Sequence, residues 1–124
     1  MRKHLKLFDE GKLYPLFIDQ QISITFIDEA CQALQKVLEK RATGIFHASS
    51  SDITTFCELI QYLIRRTRDK NFVPQKSSIE SLNNSVRYPK FGGLKVEQTE
   101  HNLGIKYSTW KQIIDKLVEQ GITA

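Results

Sequence analysis

A chain of 124 residues, 40% hydrophobic and 26% charged, carries enough apolar side chains for one core and too many for a disordered tail. No apolar run approaches the ~20 residues that cross a bilayer, and the charged start MRKHLKLFDEG lacks the apolar stretch of a secretion signal, so a cytoplasmic protein is expected, with residues 1–124 as a single domain. The net charge of +4 comes from scattered groups (Arg2, Lys3, Lys6; Lys36, Lys40, Arg41; Arg65, Arg66, Arg68, Lys70). Two of these lie near predicted helix C-termini, where cations complement the helix dipole, so the charge argues for solvated helix ends and against a nucleic-acid partner.

Taken in chain order, residues 14–18 (YPLFI) form a short apolar run after a Gly-Lys turn, with Pro15 placed as it is at a strand start, and predict a strand. From residue 27 the apolar positions Ile27, Ala30, Cys31, Leu34, Val37 and Leu38 step by three and four and predict an amphipathic helix ending near Arg41. Residues 44–48 (GIFHA), with Gly before and Ser49-Ser50-Ser51-Asp52 after, read as a buried strand. Thr55 with Glu58 has the form of a capping box, and Phe56, Leu59, Ile60, Leu63 and Ile64 make the stripe of a second helix. Residues 71–89 read as a long Asn-, Ser- and Pro-rich loop of the kind that is functional or mobile. A short helix around 96–103 closes on Gly104, and a last one starts at Trp110 with Thr109 and Gln112 set for a capping box.

Strand, helix and strand over residues 14–48 make a βαβ unit, whose strands are normally parallel. The fold class is therefore α/β: a βαβ unit followed by C-terminal helices. Parallel strands this apolar are normally covered on both faces, and the chain offers few helices to cover them, so the strands are expected to extend a larger sheet outside this sequence.

Cys31 and Cys57 fall on apolar helix faces and are expected in the core. His4, in a frayed start, His47 and His101 share no ligand spacing with a carboxylate or thiol, and no metal site is expected. Thr25 and Asp28 stand where the first predicted helix needs a cap.

Three blocks carry a family resemblance. Residues 19–30 (DQQISITFIDEA) resemble the Asp-Gln…Ser-Pro-Thr…Asp-x-Ala segment of dTDP-4-dehydrorhamnose reductases and related extended short-chain dehydrogenase/reductases, with Ile22 and Ile24 where Gly and Pro are usual. Residues 44–49 (GIFHAS) are similar to that family's Gly-x-Tyr-His-x-Ser strand. Residues 87–94 (RYPKFGGL), followed by Leu103-Gly104-Ile105 and Trp110, resemble its Arg-Pro…Leu…Leu-Gly…Trp ending, with Tyr88 inserted between Arg87 and Pro89. The blocks occur in family order over most of the chain.

The resemblance implies the C-terminal, substrate-binding part of a Rossmann-type extended fold. It implies a dTDP- or UDP-sugar ligand, NAD(P) in the complete reductase or epimerase, and a cofactor-binding half in a partner chain or, failing that, a homo-oligomer. The Gly-rich dinucleotide loop and the catalytic Tyr-x-x-x-Lys pair of that family lie upstream of the matched blocks, and no counterpart of either is expected here; the chain alone is expected not to be catalytic and to hold no cofactor. Within the long loop, Arg87 offers a diphosphate several donors at fixed angles or is a plain exposed arginine. Tyr88 stacks on a base or sugar or anchors the loop. Asn84, with Asn83 and Ser85, hydrogen-bonds a ligand or solvent. The competing reading is a non-catalytic interaction or regulatory module whose apolar sheet edge docks on another protein.

Overall fold

Helix α1 (Arg2–Asp9) opens the chain where the sequence suggests a frayed start: Leu5 is buried, and the guanidinium of Arg68 grips both carboxylate oxygens of Asp9 at 2.8 and 3.1 Å. The computed structural model describes residues 1–81 and 87–122. The expected strand at 14–18 is present in shortened form as β1 (Leu16–Phe17). It pairs in parallel with β4 (Lys76–Ser77), Leu16 opposite Lys76, a partner strand that its polar residues hid from the sequence reading. Between them come β2 (Gln21–Ile22), α2 (Ile27–Lys40), β3 (Thr54–Thr55) and α3 (Phe56–Thr67); β2 and β3 pair antiparallel. A 3₁₀ turn (Ile79–Ser81), α4 (Glu97–Leu103) and α5 (Trp110–Glu119) complete the described elements.

The fold is mixed α/β with a parallel strand pair and five helices among the described residues. One detail of the expected βαβ unit is corrected. Residues 44–48 carry no ladder, and the crossover from β1 to its parallel neighbour runs through both α2 and α3.

Helix ends follow the local chemistry. Thr109 and Gln112 close the reciprocal capping box of α5, and Gly104, at φ 67°, takes the left-handed turn that ends α4 without the penalty a Cβ would bring. At α3 the Thr55 hydroxyl oxygen accepts the Glu58 amide at 3.3 Å, while the Glu58 carboxylate accepts from the Thr54 hydroxyl. The main core joins Leu5, Leu16, the stripe Leu59, Ile60, Leu63 and Ile64 of α3 with Cys57, and Trp110 and Ile114 of α5. A second cluster packs Ala33 of α2 against Val96, Leu103 and Tyr107.

Helix α2 departs from expectation on its outer face. Of its periodic apolar residues, Ala30 and Val37 turn partly inward, whereas Ile27, Leu34 and Leu38 are exposed, and so is Cys31. Cys57 is buried as expected and burial pushes its thiol pKa up; Cys31 is not a core residue in this fold.

Candidate functional site

The first and third sequence blocks, about 70 residues apart, meet in space. The Gln21 amide donates to the carbonyl of Lys90 at 2.9 Å, the Gly92 amide returns to the carbonyl of Gln21 at 2.9 Å, and the Leu94 amide donates to the Ser23 hydroxyl oxygen at 3.0 Å. Residues 87–94 are thereby laid along β2. The two glycines allow this approach: a Cβ on Gly92 would stand 3.0 Å from the Gln21 carbonyl oxygen, and one on Gly93 would stand 2.7 Å from the Ile53 side chain.

Asp19, two residues beyond β1, anchors the other flank. Its carboxylate accepts from the Ser78 hydroxyl and from the Ile79 amide at 2.9 Å, which ties the end of β1 to the start of the 3₁₀ turn. These bonds, the Ser78 hydroxyl first and the Ile79 amide next, hold the Asp19 pKa below the usual carboxylate range. Lys90 reaches Glu80 at 3.4 Å across the same surface.

On this frame Tyr88 sits with its ring centroid 5.8 Å from that of Phe17, tilted by 49° and 42% exposed, so that one part of the ring anchors the segment and the other remains open to a stacking partner. Arg87 precedes it, exposed. Asn84, with Asn83 and Ser85, lies outside the described residues. Asp19, Phe17 and Ser78 were not singled out as site residues from sequence. The only signal for Asp19 was its place in the Asp-Gln block, and the Phe17–Tyr88 contact depends on a pairing that no local pattern records.

The middle block is fixed by side chains. Thr25 does not cap α2, whose N-cap is Phe26 without a side-chain bond; its hydroxyl instead donates to the carbonyl of Ala48 at 2.7 Å. Asp28 lies in the first turn of α2 and accepts from the Gln120 amide group at 3.0 Å. His47 is bound through its main chain to the Thr99 and Tyr107 hydroxyls, both at 3.0 Å, and through Nδ1 to the Lys95 carbonyl at 3.1 Å. Among the described residues no three His, Cys, Asp or Glu side chains gather in a metal-binding group.

The expectation that Tyr-x-x-x-Lys is missing needs a correction at the level of letters: Tyr107, Ser108, Thr109, Trp110 and Lys111 spell it. The geometry does not make it a proton-donating pair. Tyr107 precedes α5, is buried, and spends its hydroxyl on the His47 carbonyl; burial first, then the Glu100 and Glu29 carboxylates, pushes its pKa up. Lys111 lies over the rings of Trp110 and Tyr62, 5.5 and 5.7 Å from their centroids. A tyrosine serving as an acid beside lysine needs its pKa brought down, and this one is moved the other way.

No described segment fits the phosphates of a dinucleotide either. That cradle is a glycine-rich turn from a strand into a helix N-terminus. Here Gly11, Gly104 and Gly121 follow helices, Gly44 leads into the unladdered run, and Gly92–Gly93 are consumed by packing on β2 and Ile53. A hollow of about 510 Å³, lined by Asp52, Glu58, Tyr62, Arg65, Trp110 and Lys111 among others, shares no lining residue with the segment 87–94.

The family model described as RmlD substrate binding domain matches residues 2–122. The chain belongs to the RmlD substrate binding domain family. This confirms the family resemblance carried by the three blocks. Two solved structures share the fold of this RmlD-type chain. One is dTDP-4-dehydrorhamnose reductase from Bacillus anthracis str. Ames in complex with NADP (TM-score 0.81, 16% identity, covering 96% of this chain and 42% of that one). The other is dTDP-4-dehydrorhamnose reductase from Yersinia enterocolitica (TM-score 0.74, 21% identity, 98% and 42%). The RmlD-type chain thus spans less than half the length of either. No curated protein sequence matches it significantly. No helix among the described residues is long and apolar enough to cross a membrane.

Proposed function

We propose that this chain is the nucleotide-sugar-recognising part of an NAD(P)-dependent reductase or epimerase of the dTDP-4-dehydrorhamnose reductase kind, and that it is not catalytic by itself. The observation that carries the reading is the joining of the Asp-Gln and Arg-Tyr-Pro blocks into one surface, within a chain whose whole described length matches a substrate-binding family. On that surface Arg87 supplies the donors for a diphosphate, and the open part of the Tyr88 ring packs on a base or sugar. Asn84, three residues before Arg87 in the sequence and outside the described residues, is proposed as a further hydrogen-bonding residue. Hydride transfer requires a bound nicotinamide and a proton donor, and the cofactor-binding part that supplies both lies outside these residues. The complete enzyme is proposed to work in the cytoplasm.

The test is a ¹H–¹⁵N correlation spectrum of the chain titrated with dTDP-glucose and, separately, UDP-glucose. Saturable shifts at the amides of Phe17, Arg87 and Tyr88 are expected, weakened in Arg87→Ala. Shifts absent at millimolar ligand, or unchanged by Arg87→Ala, would overturn the assignment of this surface.

A further inference from the structure

The short stretch from Phe17 to Gln21 meets the neighbourhood of Arg87 and Tyr88 at three places. Phe17 backs the Tyr88 ring, the Asp19 carboxylate holds Ser78 and Ile79 where the chain leaves β4, and the Gln21 main chain holds Lys90 and Gly92. Gln21 acts there through main-chain groups that any residue but proline supplies. The side chains that act are therefore those of Phe17 and Asp19.

The 3₁₀ turn after β4 has a cap of its own. The Ser78 hydroxyl oxygen accepts the Glu80 amide at 3.2 Å, and the Ser81 hydroxyl donates to the Ser78 carbonyl at 2.7 Å. A hydroxyl has one proton to give, and Ser78 gives it to Asp19, 59 positions away in the sequence. The other Asp19 oxygen takes the Ile79 amide at 2.9 Å. With one oxygen on a side chain and the other on the main chain, the carboxylate fixes the Ser78 rotamer and the direction in which the chain leaves β4. The same turn brings the Glu80 carboxylate to 3.4 Å from the Lys90 ammonium, so its orientation is passed to a residue two positions from Tyr88. Phe17 acts on Tyr88 directly: among the described residues it is the one ring that Tyr88 meets, and the two lie at 49°.

We propose that Phe17 and Asp19 are positioning residues of the nucleotide-sugar site, which set the Tyr88 ring and the path of the chain that presents Arg87 without touching the ligand themselves. This rests on the functional reading above. A diphosphate takes donors at fixed angles, and a base or sugar packs on a ring at a fixed tilt. A segment already ordered when the ligand arrives loses less freedom on binding than one that the ligand must order. Arg87 and Tyr88 are the groups that meet the ligand, and the end of β1 is the support that aims them.

The experiment measures the Kd for dTDP-glucose by NMR titration of the full chain carrying Phe17→Leu, Phe17→Tyr, Asp19→Ala, Ser78→Ala or Ser78→Thr, and compares the spectra of the free chains. Phe17→Leu, Asp19→Ala and Ser78→Ala are each expected to weaken binding about fivefold, the scale of ordering a few side chains. Phe17→Tyr keeps the ring and Ser78→Thr the hydroxyl, and both are expected to stay within about twofold of the original affinity. In the free chains Phe17→Leu is expected to move the Tyr88 ring signals, and Asp19→Ala the amide signals of Ile79 and Tyr88. A role confined to stability would lower the urea midpoint and leave the Kd of the folded chain where it was, which would overturn the proposal. So would equal losses in Phe17→Leu and Phe17→Tyr, or a full further loss when Asp19→Ala is added to Arg87→Ala/Tyr88→Ala, since Asp19 would then not act through those two residues. No saturable shift of the unsubstituted chain with either dTDP-glucose or UDP-glucose would remove the functional reading and the positioning role with it. Binding that is present but indifferent to these variants would remove the positioning role alone.

Discussion

The Leu94 amide donates to the Ser23 hydroxyl oxygen at 3.0 Å, joining residues 71 positions apart. Together with the Gln21–Gly92 exchange it turns two separate sequence blocks into one surface, on which Arg87 and Tyr88 are displayed.

Gly93→Ala tests that surface through packing. Its Cβ would lie 2.7 to 3.2 Å from three carbons of Ile53, so the variant is expected to lose about 1–3 kcal/mol by overpacking, read by urea denaturation. Ile53 is itself 45% exposed, so Ile53→Ala costs little alone and recovers most of the loss in the double variant. Additive losses would show that Gly93 serves some other purpose than this contact.

Arg87→Ala is expected to weaken binding of dTDP-glucose about tenfold or more, in line with the ~1.5–3 kcal/mol of hydrogen bonds to a charged group, while leaving urea stability unchanged because the side chain is exposed. Arg87→Lys keeps the charge without the fork geometry and is expected to recover only part of the affinity by calorimetry. Full recovery would reduce the role of Arg87 to net charge.

Asp52 accepts the Trp110 amide at 2.8 Å at the start of α5, and Glu29 accepts the Ser108 amide at 2.7 Å. Asp52→Ala leaves the first-turn amide of α5 without its acceptor and is expected to cost about 1–2 kcal/mol in thermal or urea unfolding. A cost near zero would mean that solvent replaces the carboxylate at that helix end.

Two groups set the acid side of the stability profile, in separate windows. Burial first, then the N-terminal ammonium and Lys3, lowers the His4 pKa below its ordinary 6.5, and its Nδ1 is buried without a partner while its other ring nitrogen meets the Tyr14 hydroxyl at 2.8 Å. The unfolded chain then binds more protons than the native one below that value, so this stability is present above pH 6.5 and declines as pH falls through the folded pKa. Asp19, lowered from 3.8, adds stability that is present above that pH and is lost at still lower pH. His4→Gln is expected to flatten the first decline and Asp19→Asn the second. A profile unchanged in both variants would show that neither group is linked to folding.

Tyr107→Phe is expected to cost about 1 kcal/mol through its lost bond to the His47 carbonyl, while Lys111→Ala, which removes an exposed ammonium from over the Trp110 and Tyr62 rings, changes stability by less than ~1 kcal/mol. In an assembled enzyme, Lys111→Ala is expected to leave kcat untouched. A collapse of kcat would return the Tyr107–Lys111 pattern to the chemistry.

The amphipathic helices α2, α3 and α5, the caps at Thr55 and Thr109, the short helix closed by Gly104, the strand near Leu16 and the family to which the chain belongs were legible from the sequence alone. Those features depend on near-neighbour chemistry: a 3.6-residue period, a hydroxyl three residues before an amide, a glycine where φ is positive. The tertiary structure decided which strand Leu16 pairs with, that Thr25 binds Ala48 rather than capping a helix, and that Asp19 holds Ser78. It also decided that α1 is held by Leu5 and Arg68, and that Cys31 faces outward. Periodicity tells which residues of α2 are apolar; it carries no information on which apolar stripe finds a neighbour within these 124 residues, because that is set by contacts between segments far apart in the chain.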